Sequence, residues 1–201
     1  MHAVHDSPRL ILASTSPYRR ELLQRLRLPF EVVSPEVDET PQAGELPAAL
    51  AERLAMAKAR AVSNRHPRAV VIGADQVAEL DGQAIGKPHA HDRAAAQLRA
   101  MSGRRVTFHS AVAVARLDRG YARGLVAPVA VTFRALDDAE IERYLRAERP
   151  YDCAGSAKSE ALGIALLAAI DSDDPTALIG LPLIRTCALL REAGLDPLAA
   201  Q

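Results

Sequence analysis

The chain has 201 residues, 49% of them apolar, enough for one domain with a sizeable core that three Phe, four Tyr and no Trp leave mainly aliphatic. Its 25 basic and 25 acidic residues cancel, which excludes a global pull toward a nucleic acid polymer or a membrane surface. Its two cysteines, Cys153 and Cys187, form no CxxC pair, so a disulfide framework or zinc site is not expected and the expected compartment is the cytoplasm.

Residues 1–8 lack the apolar segment of a signal peptide and read as a flexible leader; 9–201 read as a single domain. RLILAS (9–14) is a short buried strand. Ser16 and Pro17 then start a helix over 18–27, because serine caps and proline fits the first helical position. Tyr18, Leu22, Leu23 and Leu26 share one face of it. Its first turn carries Arg19 and Arg20, although a helix N-terminus is already positive and prefers acids. Five arginines against one glutamate between Arg9 and Arg27 make a local basic patch suited to a small anion.

FEVVS (30–34) is a second strand and PEVDETPQAGELP (35–47) an acidic, proline-bearing loop. A long helix covers 48–64, with Leu50, Leu54, Ala57 and Ala61 in register. AVVIGADQVAEL (69–80) is the strongest strand, Asp81–Gly82 a hairpin turn, and QAIGKP (83–88) the return. A helix over 92–102 precedes two long strands, 106–117 and 125–134, around a turn at Arg119–Gly120. The helix 138–148 opens on Asp137 and Glu140, spaced as a capping box. A glycine-bearing loop (154–160) leads to an apolar strand over 162–170, and a last helix runs from near Pro182 to Gly194. The longest apolar run, 161–170, is too short to cross a bilayer. Interleaved strands and helices with antiparallel returns predict an α/β fold with a twisted mixed sheet.

Three segments crowd polar groups at the ends of apolar elements. Ser14, Thr15, Ser16, the helix N–H groups, Arg19 and Arg20 would cradle phosphate oxygens, unless the arginines simply face water. Asp75 ends the apolar run of VVIGADQV, where a carboxylate needs a metal or a lysine beside it, or bonds a nearby turn. Glu36, Asp38 and Glu39 offer oxygen ligands for Mg²⁺ or Mn²⁺, or form a solvated loop. Lys58 and Lys87 pair with phosphate or are solvated. There is no G-x-x-x-x-G-K-[ST] loop, no G-x-G-x-x-G and no H-E-x-x-H.

Taken in order, LILASTSPYRRELLQRLRLPFEVVSPEVDET, AMAKARA around Lys58, VVIGADQV, GKP, LRAMSG, CAGSAKSE and GLPL resemble the Maf family of nucleotide pyrophosphatases, over about residues 10–195. The details are most similar to the branch that acts on 7-methyl-GTP. The resemblance implies an elongated twisted mixed sheet flanked by helices, related to the inosine triphosphate pyrophosphatases, with two lobes around a nucleotide cleft. It also implies a homodimer and hydrolysis of a nucleoside triphosphate to monophosphate and diphosphate with a divalent metal cation. Carried over by position, Asp75 is the general base and, with Glu39, a metal ligand. Ser14, Arg19, Lys58 and Lys87 bind phosphate. Tyr18, Gln76 and Glu160 select the base. Tyr18 is a departure, since that branch usually has Trp there; either ring stacks on a cationic guanine.

On this reading Asp75 orients and deprotonates a water that attacks the α-phosphorus, while Arg19, Lys58 and Lys87 balance charge on the leaving diphosphate. Two other readings stand beside it: a pyrophosphatase for dTTP, UTP or other nucleotides, and a septum-formation inhibitor acting by binding alone.

Overall fold

The computed structural model describes residues 8–199; apart from Pro8, the expected leader lies outside them. Seven strands and five helices form a mixed α/β fold. β1 (Leu10–Ala13) leads into α1 (Pro17–Gln24), where Ser16 caps by accepting from the Arg19 backbone N–H and Pro17 takes the first position. β2 (Phe30–Val32) follows, then α2 (Pro47–Ser63), β3 (Val70–Leu80) and β4 (Gln83–Ile85). α3 (His91–Met101), β5 (Arg105–Arg116), β6 (Tyr121–Phe133) and α4 (Asp138–Glu148) come next, the last opening on the expected Asp137–Glu140 capping box. β7 (Leu167–Asp171) and α5 (Leu183–Glu192) are the last strand and helix of the described residues.

The sheet order is β2-β1-β3-β5-β6-β7. β1 runs parallel to β2 and β3; the other pairings are antiparallel. β4 also pairs with β3, at Ala78–Leu80, on the edge that β1 occupies at Val70–Gly73. Residues 74–77 therefore have no strand beside them on that edge, while β5 pairs with β3 along the other. This gap opens next to Asp75 and Gln76.

Alternation along β3 sends its odd and even residues to opposite faces. α2 covers the odd face, packing Leu50, Ala51, Leu54, Ala55 and Ala59 on Val77 and on alanines of β5. Two core clusters divide the even face. One gathers β1, α1 and α5 around Val70 and Ile72; the other gathers α3 and α4 around Ala78 and Phe108. Between them, where the apolar run is interrupted, stand Gln76 and buried Ser110. Their polar groups meet the crossing segment at 177–178: Ser110 Oγ donates to Ala177 O at 2.6 Å, and Gln76 Nε2 to Ala177 O and Leu178 O at 3.0 and 2.9 Å.

Several boundaries differ from expectation. The helix expected over 18–27 stops at Gln24, and Arg27 turns to positive φ. β6 begins at Tyr121, because Tyr121 pairs with Arg116 across a 3-10 turn (Leu117–Arg119) closed by Gly120 at φ 62°. The apolar run 162–170 is not one strand. Leu162–Leu166 is a 3-10 segment and only Leu167–Asp171 is extended. Gly163 lies so close to the backbone of Lys158 that a Cβ would overlap it, so the chain packs there on the 154–160 loop before entering the sheet.

Candidate active site

Asp75 is buried on β3 and faces α2. Lys58, about one turn after Ala55 and next to Ala59 on the helix, sends its ammonium to Asp75 Oδ1 at 2.6 Å and to Glu39 Oε1 at 2.6 Å. One buried lysine thus bridges two carboxylates, the cationic partner a carboxylate at that depth requires. Gly73 makes this possible. Its missing side chain lets Ala55 O and Ala59 N close on β3, which brings Lys58 within reach two residues on.

Of Glu36, Asp38 and Glu39, only Glu39 joins the cluster. Asp38 turns back and accepts from Thr40 N at 2.9 Å. The loop is tied to α2 by Arg53, which donates to Thr40 O at 3.1 Å and pairs with Glu45 at 2.6 Å. Arg53 was not among the expected site residues; a charged position on a half-exposed helix face gives no sign in sequence that it anchors a loop. Burial works to raise the Glu39 carboxyl, but Lys58, with the charges of Lys87 and Arg19, outweighs it and holds the group below its usual range. Lys87 is exposed after β4, near enough to act on Glu39.

Arg19 closes the cluster from α1. Its Nε donates to Gly180 O at 3.0 Å and its Nη1 to buried Ser14 Oγ at 3.5 Å. Burial pulls the guanidinium below its ordinary value while the charges of Asp75 and Glu39 oppose that. Gly180 sits at φ 120°, a conformation that favours glycine and turns its carbonyl to Arg19. Two donors of the expected phosphate cradle are used internally, since Ser16 N donates to Ser14 Oγ and Arg19 N to Ser16 Oγ. Arg20 is exposed and lines a separate outer cavity with Thr15 and Ser16.

The expected base-selecting residues are only partly gathered. Gln76 lies beside Asp75 with Nε2 committed to two carbonyls and the Ser110 hydroxyl. Two carbonyl acceptors fix the amide orientation, so Oε1 is the atom left over. Tyr18 is half-buried; its hydroxyl donates to Asp152 Oδ2 at 3.2 Å, and Cys153 Sγ lies 3.9 Å from it. Burial, then Cys153 and Asp152, push that hydroxyl above its ordinary value. Burial, with Asp152 beside it, pushes the Cys153 thiol up to about 12, so it is inert as a nucleophile at neutral pH. Glu160 is exposed, 3.5 Å from the Ser159 hydroxyl, and has no contact with Tyr18 or Gln76. Asp152 and Lys158 surround Tyr18 instead. Neither was expected, although Lys158 belongs to the motif CAGSAKSE.

A family model described as Maf-like protein matches residues 9–193. The chain belongs to the Maf family. This Maf protein is 68% identical over 185 residues to a protein of Polaromonas sp. (strain JS666) named 7-methyl-GTP pyrophosphatase, covering 92% of this chain and 84% of that one. A protein of the same name from Albidiferax ferrireducens is 65% identical over 192 residues, 96% of each chain, and one from Bordetella avium is 60% identical over 195 residues, 97% and 98% of the two chains. The solved structure of the Staphylococcus aureus Ham1 protein aligns with 62% of this chain and 71% of its own at TM-score 0.45 and 16% identity, a likeness too low to bear on the site.

Among the described residues of this Maf protein, no group of three or more His, Cys, Asp or Glu side chains gathers as a metal site, and no helix is long and apolar enough to cross a membrane. Glu39 and Asp75 nonetheless converge on a single cation, the Lys58 ammonium. Two carboxylates fit Mg²⁺ or Mn²⁺, which are held by one or two such groups with substrate phosphates and water completing the shell.

Proposed function

We propose that this Maf protein hydrolyses 7-methyl-GTP to 7-methyl-GMP and diphosphate. The observation that carries the chemistry is the convergence of Asp75, Glu39, Lys58 and Arg19 at the gap in the β3 edge. The substrate follows from the names of relatives that match nearly the whole chain. Glu39 and Asp75 would hold a divalent cation, which when bound neutralises phosphate charge.

The chain's own groups do the rest. The ion pair with Lys58 uses Asp75 Oδ1, leaving Oδ2 to orient a water and accept its proton. The water oxygen bonds to the α-phosphorus, the bond from that phosphorus to the bridging oxygen breaks, and its electron pair leaves with diphosphate. Arg19, braced by Gly180 and Ser14, and Lys87 balance the charge of that leaving group. Lys58 keeps both carboxylates in place and adds its own charge. At the base, the Tyr18 face stacks on the ring and Gln76 Oε1 accepts from its N–H groups. We place the enzyme in the cytoplasm and assign it a homodimeric state.

The test is a panel of canonical and methylated triphosphates with Mg²⁺ or Mn²⁺, with initial rates read as diphosphate released. The expected result is that 7-methyl-GTP is cleaved fastest. Faster cleavage of dTTP or UTP overturns the substrate, and no release from any triphosphate overturns the enzymatic reading in favour of binding alone. Asp75→Asn is expected to keep the fold and lose about 10²–10⁴ in kcat; near-wild-type turnover removes Asp75 from the role of base.

A further inference from the structure

The Tyr18 ring already carries a cation. Lys158 Nζ stands 5.8 Å from its centroid, within the roughly 6 Å reach of a cation–π contact. The same ammonium faces Asp152 Oδ1 at 3.7 Å and Glu148 Oε1 at 3.8 Å. Asp152 also accepts from the Tyr18 hydroxyl through its other oxygen, so one carboxylate both fixes the ring and flanks its face. Three separate elements build this receptor: the first turn of α1, the end of α4 and the 152–158 segment.

Lys158 is well enclosed but loosely bonded. Its side chain is only 15% exposed, yet both ion pairs lie beyond the 2.7–2.9 Å of a charge-assisted hydrogen bond. The Lys58 pairs in the catalytic cluster, at 2.6 Å, show what a committed lysine looks like in this protein. The receptor holds two negative charges against one positive. If Lys158 swings out, both carboxylates lose their counter-charge unless another cation enters. A neutral purine stacked on Tyr18 does not restore that balance. A purine alkylated at a ring nitrogen carries a fixed positive charge and does.

Resting on the reading above, we propose that Lys158 is a resident cation which the charged base displaces from the Tyr18 face, and that Asp152 is a specificity-determining residue that makes this face select a cationic base. The displacement is charge for charge. Lys158 competes with the substrate base, and Asp152 distinguishes a methylated purine from an unmethylated one. These are opposite roles for two side chains in contact, so their variants move binding in opposite directions.

The experiment is calorimetric titration of 7-methyl-GMP and GMP into the wild-type chain and into Lys158→Met, Lys158→Arg and Asp152→Asn, with far-UV circular dichroism confirming the fold of each. Lys158→Met removes the competitor and is expected to tighten 7-methyl-GMP binding about fivefold, equivalent to about 1 kcal/mol. Lys158→Arg keeps a cation and stays within about twofold of wild type. Asp152→Asn keeps the hydrogen bond to Tyr18 but loses the charge, and the preference for 7-methyl-GMP over GMP is expected to fall about fivefold. If Lys158→Met does not fold, Lys158→Gln serves in its place with the same expectation. Weaker or equal binding of 7-methyl-GMP by the neutral Lys158 variants overturns the competitor role, and an unaltered preference in Asp152→Asn overturns the selective one. These failures are separate from failure of the functional reading, which shows as a wild-type chain that does not prefer 7-methyl-GMP and does not cleave 7-methyl-GTP.

Discussion

At the scale of single residues, Lys58 decides how the site is held. Its side chain is 5% exposed and that of Asp75 11%, whereas Glu39 is 58% exposed. Removing one partner of a buried pair leaves the other charge uncompensated, at about 3–5 kcal/mol. Lys58→Met is therefore expected to cost about 3 kcal/mol, the low end, because Arg19 still acts on Asp75. Glu39→Gln on the same lysine is expected to cost less than about 1 kcal/mol, since an exposed pair is screened by water, yet to lower turnover. Urea denaturation and initial rates on both variants separate the two effects: equal losses of stability would mean that Glu39 is as structural as Asp75. The need of Asp75 for a cation was legible in the sequence, as a carboxylate closing an apolar run. Which cation was not legible, because Lys58 reaches Asp75 only through the way α2 lies across β3.

That packing belongs to the scale of elements, and one glycine permits it. A Cβ at Gly73 would overlap Ala55 O and Ala59 N, backbone atoms of a helix that cannot yield as a side chain does. Gly73→Ala is expected to lift α2 from the sheet, lowering stability by about 3 kcal/mol and turnover with it. A thermal melt within a degree of wild type would show that the helix is not so closely seated. The N-terminal end of α2 is held differently. Leu46 provides no side-chain cap, and Glu45 instead accepts from Gln42 N and from Arg53. The Arg53 hydrogen bond, then the Gln42 N–H, hold the Glu45 carboxyl down at about 2. A depressed folded value means that this contribution is present above the ordinary Glu range near 4.5 and is lost as the pH falls from there toward 2. Arg53→Met is expected to flatten the fall in melting temperature over that window and to loosen the loop carrying Glu39. The elements themselves were mostly legible where a period and a stop signal agree, as at Ser16–Pro17 and Asp137–Glu140. They were not where only hydrophobicity spoke. The run 162–170 is apolar throughout, but Gly163 packs against Lys158, a contact no local pattern announces.

At the scale of the molecule, the gap in the β3 edge organises the site. β1, with α1 after it, approaches β3 from one end and β4, with Lys87 after it, from the other. Arg19 and Lys87 thus stand on opposite sides of Asp75, in segments that share no strand pairing with each other. Both act on Glu39, so a triphosphate seated between them would link two parts of the chain that pair with opposite ends of β3. This makes a prediction about order rather than rate. With 7-methyl-GTP bound to Asp75→Asn, hydrogen exchange is expected to slow together in 14–20 and in 86–90, and the melting temperature to rise. At a ligand concentration of 100 times Kd the stabilisation is about 2.7 kcal/mol, which for a chain of this length is about 5–10 °C. Arg19→Met should abolish protection on both sides, because a phosphate not anchored at α1 has no reason to order the segment after β4. Protection confined to 14–20, or surviving there without Arg19, would mean that the nucleotide lies against α1 alone and that the gap is not where it binds.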